Sequence, residues 1–343
     1  MHLMHSLVAL GLLTPSTVAG PPRPPRFTAT EIFSFPPSNP LFIENLQVLP
    51  DNRILLTHFN GAGPDAPLWV FNQTSGTASI IVTLPNATAQ TGIAALGNNK
   101  YVVTTGIVGA NFEFINGTAA AHIISLLPGA SSATVLDTIP VPNTINLNGL
   151  VALPSSTGGE RHVILSADSR GFRVLKINTL TRTSGLAFTD PLLGGNPNIT
   201  ESIGITGVNG LNLRDGGRDG YLYFTNSAQG HYGRVKVNAA GDKVGPVEIL
   251  SELATPPSQV NFFDDLAVTK FGEGFVTWQM DKLVRVDRHG GQTIVMGPGV
   301  GNVTLRYPST IRVGNSPREL YLGTGGIDLS GNMLGGQLIK ITI

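Results

Sequence analysis

Four side chains spread along the chain carry oxygens that could hold a hard cation or move a proton: the carboxylates of Glu44 and Asp264 and the amide carbonyls of Asn148 and Asn209. Each opens a short segment of one pattern, in which a polar residue, a small or polar residue and an aliphatic lead into alternating apolar positions. The pattern recurs at Glu44-Asn45-Leu46, Thr91-Gly92-Ile93, Asn148-Gly149-Leu150, Asn209-Gly210-Leu211, Asp264-Asp265-Leu266 and Ser309-Thr310-Ile311. Calcium accepts about six to eight oxygen ligands, and the absence of His and Cys from these positions argues against zinc. Polar residues that open strands also hydrogen-bond to nearby backbone and water, and that plainer role stays open.

The elements that must position these residues follow from the spacing. The intervals between repeats are 47, 57, 61, 55 and 45 residues, the period of a four-stranded propeller blade with loops of varying length. The expected fold is all-β, a six-bladed β-propeller in which each leading polar residue opens an innermost strand at the mouth of the central channel. Second strands are expected at runs such as Ile54-Leu55-Leu56-Thr57 and Tyr221-Leu222-Tyr223-Phe224, and third strands at runs such as Leu68-Trp69-Val70-Phe71 and Leu338-Ile339-Lys340-Ile341. The sixth repeat is about one strand short. The segment Thr28 to Phe35, left over before the first repeat, has strand character and is expected to pair with the C-terminal strand, closing the ring and removing open edges.

The chain has 343 residues with 42 glycines and 24 prolines, enough length for a large core and many tight turns. Only 13% of residues are charged and the formal net charge is zero, which sets aside nucleic acid and anionic membranes as partners. Residues 1–20 read as a signal peptide, with an apolar core from Ser6 to Leu13 and small residues at Val18-Ala19-Gly20, ahead of one propeller domain over 21–343. Acceptor sequons at Asn72, Asn86, Asn116, Asn198 and Asn302 agree with export. The expected location is outside the cell, or in a secretory lumen or vacuole. Cysteine is absent, which excludes thiol chemistry without arguing against export.

In this geometry the loops between second and third strands reach the same face as the ring. They bring His58, Phe59, Asp168, Arg170, Asn226, Gln229, His231, Tyr232, Trp278, Gln279 and Met280 towards it, beside the ring residues Thr91 and Ser309. The Gly-rich loops Gly106 to Gly117 and Gly325 to Gly336 lengthen the same rim.

The repeat openings at Glu44, Asn148, Asn209 and Asp264, with Ser166-Ala167-Asp168-Ser169 and Tyr223-Phe224-Thr225-Asn226-Ser227 behind them, resemble the gluconolactonase, senescence-marker and strictosidine-synthase-like six-bladed propellers. In the lactonase branch the resemblance implies a divalent cation on Glu44, Asn209 and Asp264, with Asn148 nearby. That branch usually follows its glutamate with Gly-Pro and its aspartate with Gly, whereas this chain has Asn45-Leu46 and Asp265. Adjacent Asp264 and Asp265 would repel, and strand alternation is expected to turn them to opposite faces. The chain is more similar to the secreted fungal branch, whose members include hetero-Diels-Alderases of tropolone sesquiterpenoid biosynthesis.

Three functions follow as expectations. The first, implied by that branch, is a secondary-metabolite enzyme for a hetero-Diels-Alder cycloaddition that joins a quinone-methide (tropolone-type) polyketide to a terpene alkene such as humulene, with no cofactor required. Proximity and orientation would do most of the work. Trp278, Phe59, Tyr232 and Met280 would supply apolar walls, Asn148, Asn209 or Gln229 a hydrogen bond, and Glu44, Asp264, His58 or His231 a proton. The second is a calcium-dependent lactone hydrolase, with the cation on Glu44, Asn209 and Asp264, Asp168 or His231 assisting proton transfer, and Arg170 orienting an anionic product. The third is a non-catalytic propeller that binds a ligand through its loop face.

Overall fold

A computed structural model of the chain describes residues 27–59, 65–109, 113–217 and 219–343. The leader segment read at residues 1–20 lies outside them. Among the described residues twenty-four strands form six four-stranded antiparallel sheets. Strand β1 spans Thr28–Ser34. Blade one holds β2 (Ile43–Val48), β3 (Ile54–His58), β4 (Ala66–Asn72) and β5 (Thr77–Leu84). Blade two holds β6 (Ala89–Gly97), β7 (Lys100–Gly106), β8 (Ala120–Ser125) and β9 (Thr134–Pro140). Blade three holds β10 (Leu147–Ala152), β11 (Val163–Asp168), β12 (Arg173–Asn178) and β13 (Thr183–Thr189). Blade four holds β14 (Val208–Leu213), β15 (Tyr221–Asn226), β16 (His231–Val237) and β17 (Lys243–Glu252). Blade five holds β18 (Phe263–Val268), β19 (Gly274–Trp278), β20 (Lys282–Val286) and β21 (Gln292–Met296). Blade six holds β22 (Pro308–Val313), β23 (Glu319–Thr324) and β24 (Gln337–Thr342).

Blade six takes its fourth strand from the start of the described chain, since β1 pairs antiparallel with β24 from Thr28 opposite Thr342 to Ser34 opposite Gln337. All six innermost strands open with the pattern read from the sequence, and most of their residues are buried on both faces. The apolar core is divided into clusters that sit between neighbouring sheets. One joins β10, β11 and β12 to blade two through Leu150, Ile164 and Leu175, and another joins Ala29 of β1 to Phe275 and Leu283 of blade five. Among the described residues no helix is long and apolar enough to cross a membrane.

Candidate active site at the channel mouth

Every innermost strand slips register against its neighbour at the leading polar residue. The shifts fall between Ile43 and Asn45, Gln90 and Ile93, Leu147 and Leu150, Val208 and Leu211, Phe263 and Leu266, and Pro308 and Thr310. Such a bulge leaves ladder groups unpaired and re-aims the side chain at that point. Hydroxyls satisfy the exposed backbone. Thr57 Oγ1 donates to the Thr91 carbonyl at 2.8 Å, Thr104 Oγ1 to the Gly92 carbonyl at 3.2 Å and Ser227 Oγ to the Phe263 carbonyl at 2.8 Å. Thr277 Oγ1 accepts from the Asp265 N–H at 2.8 Å, and Ser309 Oγ donates to the Ile43 carbonyl. The bonds from Thr57, Ser227 and Ser309 cross to the next blade, so the ring is fixed by contacts between blades as well as within each sheet.

The second residue of each pattern explains the departures at Asn45 and Asp265. In blades two, three and four it is glycine, because the next inner strand comes too close for a side chain: a Cβ on Gly149 would lie 2.3 Å from the Leu211 nitrogen, and one on Gly92 2.5 Å from the Asn148 oxygen. In blades five, six and one it is Asp265, Thr310 and Asn45, which gather around Arg312. Arg312 Nη1 donates to Asp265 Oδ2 at 2.6 Å and Nη2 to Asn45 Oδ1 at 2.7 Å, while Thr310 Oγ1 donates to Asp265 Oδ2 at 2.7 Å. Asp265 is thus ion-paired beneath the ring and faces away from Asp264. Removing one member of a buried ion pair leaves the other uncompensated. Arg312→Met is expected to cost about 3–5 kcal/mol in urea unfolding, and the double variant Arg312→Met/Asp265→Asn should recover much of it.

Asp264 is held at the mouth by two amides. Its Oδ1 accepts from Asn209 Nδ2 at 2.7 Å and its Oδ2 from Gln279 Nε2 at 3.0 Å, and Asn209 Nδ2 also donates to Ser227 Oγ at 2.9 Å. Glu44 and Asp264 keep some surface open to the channel, yet protein crowds both. Burial, and after it the charge of Asp265, push Asp264 up to about 7 despite the two amide hydrogen bonds. Burial raises Glu44 well above the usual carboxylate range, with Asp264 and Asp265 adding to the effect. Two acceptors at the same place, Asn209 Oδ1 and Gln279 Oε1, are buried without a hydrogen-bond partner among the described residues. Crowded carboxylates beside orphaned amide oxygens form a donor set that fits a hard cation. Among the described residues no cluster of three His, Cys, Asp or Glu side chains does so. The set thus depends on the amide.

Two residue positions further out on the rim lies an aromatic arc. Phe42, Phe262 and Tyr307 each stand two residues before a leading polar residue, about 7 Å outward along the strand direction. Blades five, six and one are consecutive around the ring. The three rings therefore meet edge to face, with centroids 6.3 Å apart for Phe262 and Tyr307 and 5.6 Å for Tyr307 and Phe42; Phe59 continues the arc at 6.5 Å from Phe42. Tyr307 has a φ of +60°, unusual for a bulky residue. Its N–H donates to the Met280 carbonyl at 3.0 Å and its carbonyl accepts from Gly325 at 2.7 Å, so blades five and six hold it there. Burial, then Asp264 and Glu44, raise its phenol and keep it protonated.

Of the residues read from the sequence, the structure brings together Glu44, Asn209, Asp264, Gln279 and Ser309, with Asn148 half-buried at its ring position in blade three and Met280 and Phe59 at the rim. Others are occupied elsewhere. Thr91 is fully buried and shares a hydrogen bond with Thr104 at 2.9 Å. Asp168 accepts from the Ile145 and Asn146 N–H groups at 3.0 and 2.9 Å and pairs with Arg173 at 2.9 Å, fixing the turn into β10. Asn226 and Gln229 tie the loop around Leu192 to Gly195 through backbone carbonyls. Tyr232 stacks on Tyr223 in the core at a centroid distance of 6.4 Å, and Trp278 donates to Asn261 at 2.8 Å and packs on Phe263. His58 is buried beside the Pro67 backbone; burial lowers it to about 4, a hydrogen bond to Pro67 offsetting only part of that, so the ring is neutral at pH 7. His231 faces Glu252 of β17 at 3.8 Å, on the outer part of its blade. Arg170 is held against Glu113 at 3.4 Å. Among the sequons, Asn86, Asn116, Asn198 and Asn302 are exposed, Asn302 also donating its amide to the Ala29 carbonyl at 3.0 Å, and Asn72 caps its own hairpin. Two open clefts, between blades three and four near Lys176 and between blades one and two near Lys100, carry none of the ring residues.

No protein-family model matches the chain, and no curated protein matches it in sequence. Among solved structures it resembles the calcium-binding protein regucalcin from Agrobacterium tumefaciens, at 13% identity over 93% of this chain and 94% of that one, with a TM-score of 0.60. The chain shares its propeller fold. A luciferin-regenerating enzyme aligns at 11% identity, 92% and 95% coverage and a TM-score of 0.58. The PQQ-bound aldose sugar dehydrogenase of Streptomyces coelicolor aligns at 10% identity, 93% and 99% coverage and 0.59. At these identities the likeness is one of fold.

Proposed function

We propose that the protein is a hydrolase of uncharged lactones or esters that works with a divalent cation, most naturally calcium, at the Glu44, Asn209 and Asp264 cluster. The observation that carries this reading is the pair of crowded carboxylates beside the partnerless oxygens of Asn209 and Gln279. A fold shared with a protein described as calcium-binding agrees with it. When bound, the cation polarises the acyl carbonyl.

The chain's own groups do the rest. Gln279 fixes the orientation of Asp264 through its Nε2 hydrogen bond. Tyr307, kept protonated, offers its O–H to oxygen on the reacting group, and the aromatic arc limits water on that side. Hydrolysis joins a water oxygen to the acyl carbon and breaks the acyl C–O bond; the released alkoxide takes a proton, and a hydroxy acid leaves. Tyr307→Phe keeps the ring packing and removes only the hydroxyl, so kcat should fall about 100-fold with KM nearly unchanged. Hydrolysis of a lactone panel should vanish on chelation and return with calcium. Hydrolysis indifferent to the chelator would overturn the reading.

The aromatic arc beside carboxyls whose burial favours the neutral form also favours the pericyclic reading, a hetero-Diels-Alder union of a quinone-methide polyketide with a terpene alkene held face to face. Its test is the adduct ratio of a heterodiene and an alkene with and without the protein. An unchanged ratio rejects it.

A further inference from the structure

We infer that the part of the substrate that does not react is apolar and lies on the half-buried Phe42 and Tyr307, with the buried Phe262 behind them; for its reacting end this rests on the proposed lactone or ester chemistry. Three observations point to one side of the mouth. The arc occupies blades five, six and one, the blades that carry Asp264, Ser309 and Glu44, so an apolar group on it leaves the adjoining carbonyl over the acids. Beneath the acids, the Arg312 guanidinium is spent on Asp265 and Asn45, so it is not available to a sugar hydroxyl or carboxylate. Around the same face the loops expose Ile115, Ile145, Ile205, Val260 and Leu329. These loops either follow a second strand or precede an innermost one, so all of them rise on the side of the ring where the inner strands begin. Two pairs are tied together, Phe114 N–H to the Ile145 carbonyl at 2.8 Å and Ser202 Oγ to Gln259 at 2.8 Å. A polyhydroxylated lactone would find few hydrogen-bond partners along this path, whereas an alkyl or terpenoid body would be covered.

The test is calorimetric binding, with chelator present, of δ-lactones bearing alkyl tails of increasing length and of glucono-δ-lactone, to the intact protein and to Asp264→Asn. Kd should fall about fourfold per added methylene until the arc is covered, the factor that corresponds to about 0.8 kcal/mol per buried CH₂, and should do so in both proteins. Phe42→Gln should weaken the longest-tailed lactone at least about tenfold more than the tailless one. Because Phe42 also packs on Gly325, Phe42→Leu is the folding control and should keep the preference. Affinity independent of tail length, or tighter binding of glucono-δ-lactone, overturns the inference. If tail length governs binding but no lactone is hydrolysed, the hydrolase reading falls and this inference stands.

Discussion

Asp264→Asn is expected to cut lactone hydrolysis by about 100-fold or more, to abolish stabilisation by calcium, and to raise the melting temperature of the cation-free protein at pH 8. The last effect has the opposite sign from most substitutions in a packed site and follows from proton linkage. The folded state holds Asp264 near 7, whereas the unfolded chain returns it to about 3.9. Between those values the folded protein binds more protons than the unfolded one, so stability declines as pH rises. It is fully present below about pH 4 and is lost as pH passes 7. Glu44, raised in the same direction, adds to the loss. Asn cannot ionise, so the variant escapes that decline and should melt with the parent at pH 4 and above it at pH 8. A bound cation removes the penalty in the parent alone, by about 2.7 kcal/mol at a hundredfold excess over Kd. Differential scanning calorimetry at both pH values, with and without calcium, checks the two stability statements, and a lactone hydrolysis assay checks the first. An equal calcium shift in the variant would remove Asp264 from the cation site.

The cost of holding two acids in one mouth also shows which parts of the molecule could be read in advance. The repeat openings were legible because a bulged inner strand needs a polar residue at the channel and, in half the blades, a glycine behind it. Asp265 and Asn45 broke that rule, and their partner Arg312 lies 47 and 267 residues away. Only adjacency of blades five, six and one makes the exchange of glycine for a charged network intelligible. The aromatic arc left a signal in the chain, an aromatic two residues ahead of Glu44, Asp264 and Ser309. It is hard to recognise because the first and last repeats become neighbours only after the ring closes. The loop residues misled for a different reason. Asp168 and Asn226 end β11 and β15 and Gln229 lies in the turn after β15; all three have the side chains of a polar pocket, but the neighbouring loops have backbone groups of their own to satisfy, and these side chains are consumed there. A hydroxyl or carboxylate on a loop is therefore weaker evidence of a site than one at a repeated bulge.

Deleting the chain through Phe35 is expected to abolish cooperative folding of the remainder. The loss goes beyond one edge strand, because β1 carries two aromatic rings into the first blade: Phe33 meets Phe71 at 5.3 Å and Phe35 meets Trp69 at 5.3 Å, with Phe33 and Phe35 edge to face at 5.0 Å. Truncating a single buried Phe to Ala typically costs about 3–5 kcal/mol, so losing this pair alone is comparable with the whole stability of a typical domain, about 5–15 kcal/mol. The ladder from Thr28 to Ser34 goes too, as do the Asn302 bond to the Ala29 carbonyl at 3.0 Å and the Gln337 bond to Glu31 at 2.6 Å. Without β1, the apolar strand β24 becomes an open edge, a template for aggregation. The truncated chain should be insoluble or lack a melting transition, and a peptide spanning residues 27–36 supplied in trans should restore one by strand addition. A truncated protein that melts cooperatively within a few degrees of the intact chain would mean that five and three-quarter blades can close the ring. The two aromatic contacts between β1 and blade one would then be ornament to closure rather than its cause, and the ring of acids would owe its geometry to the inner strands alone.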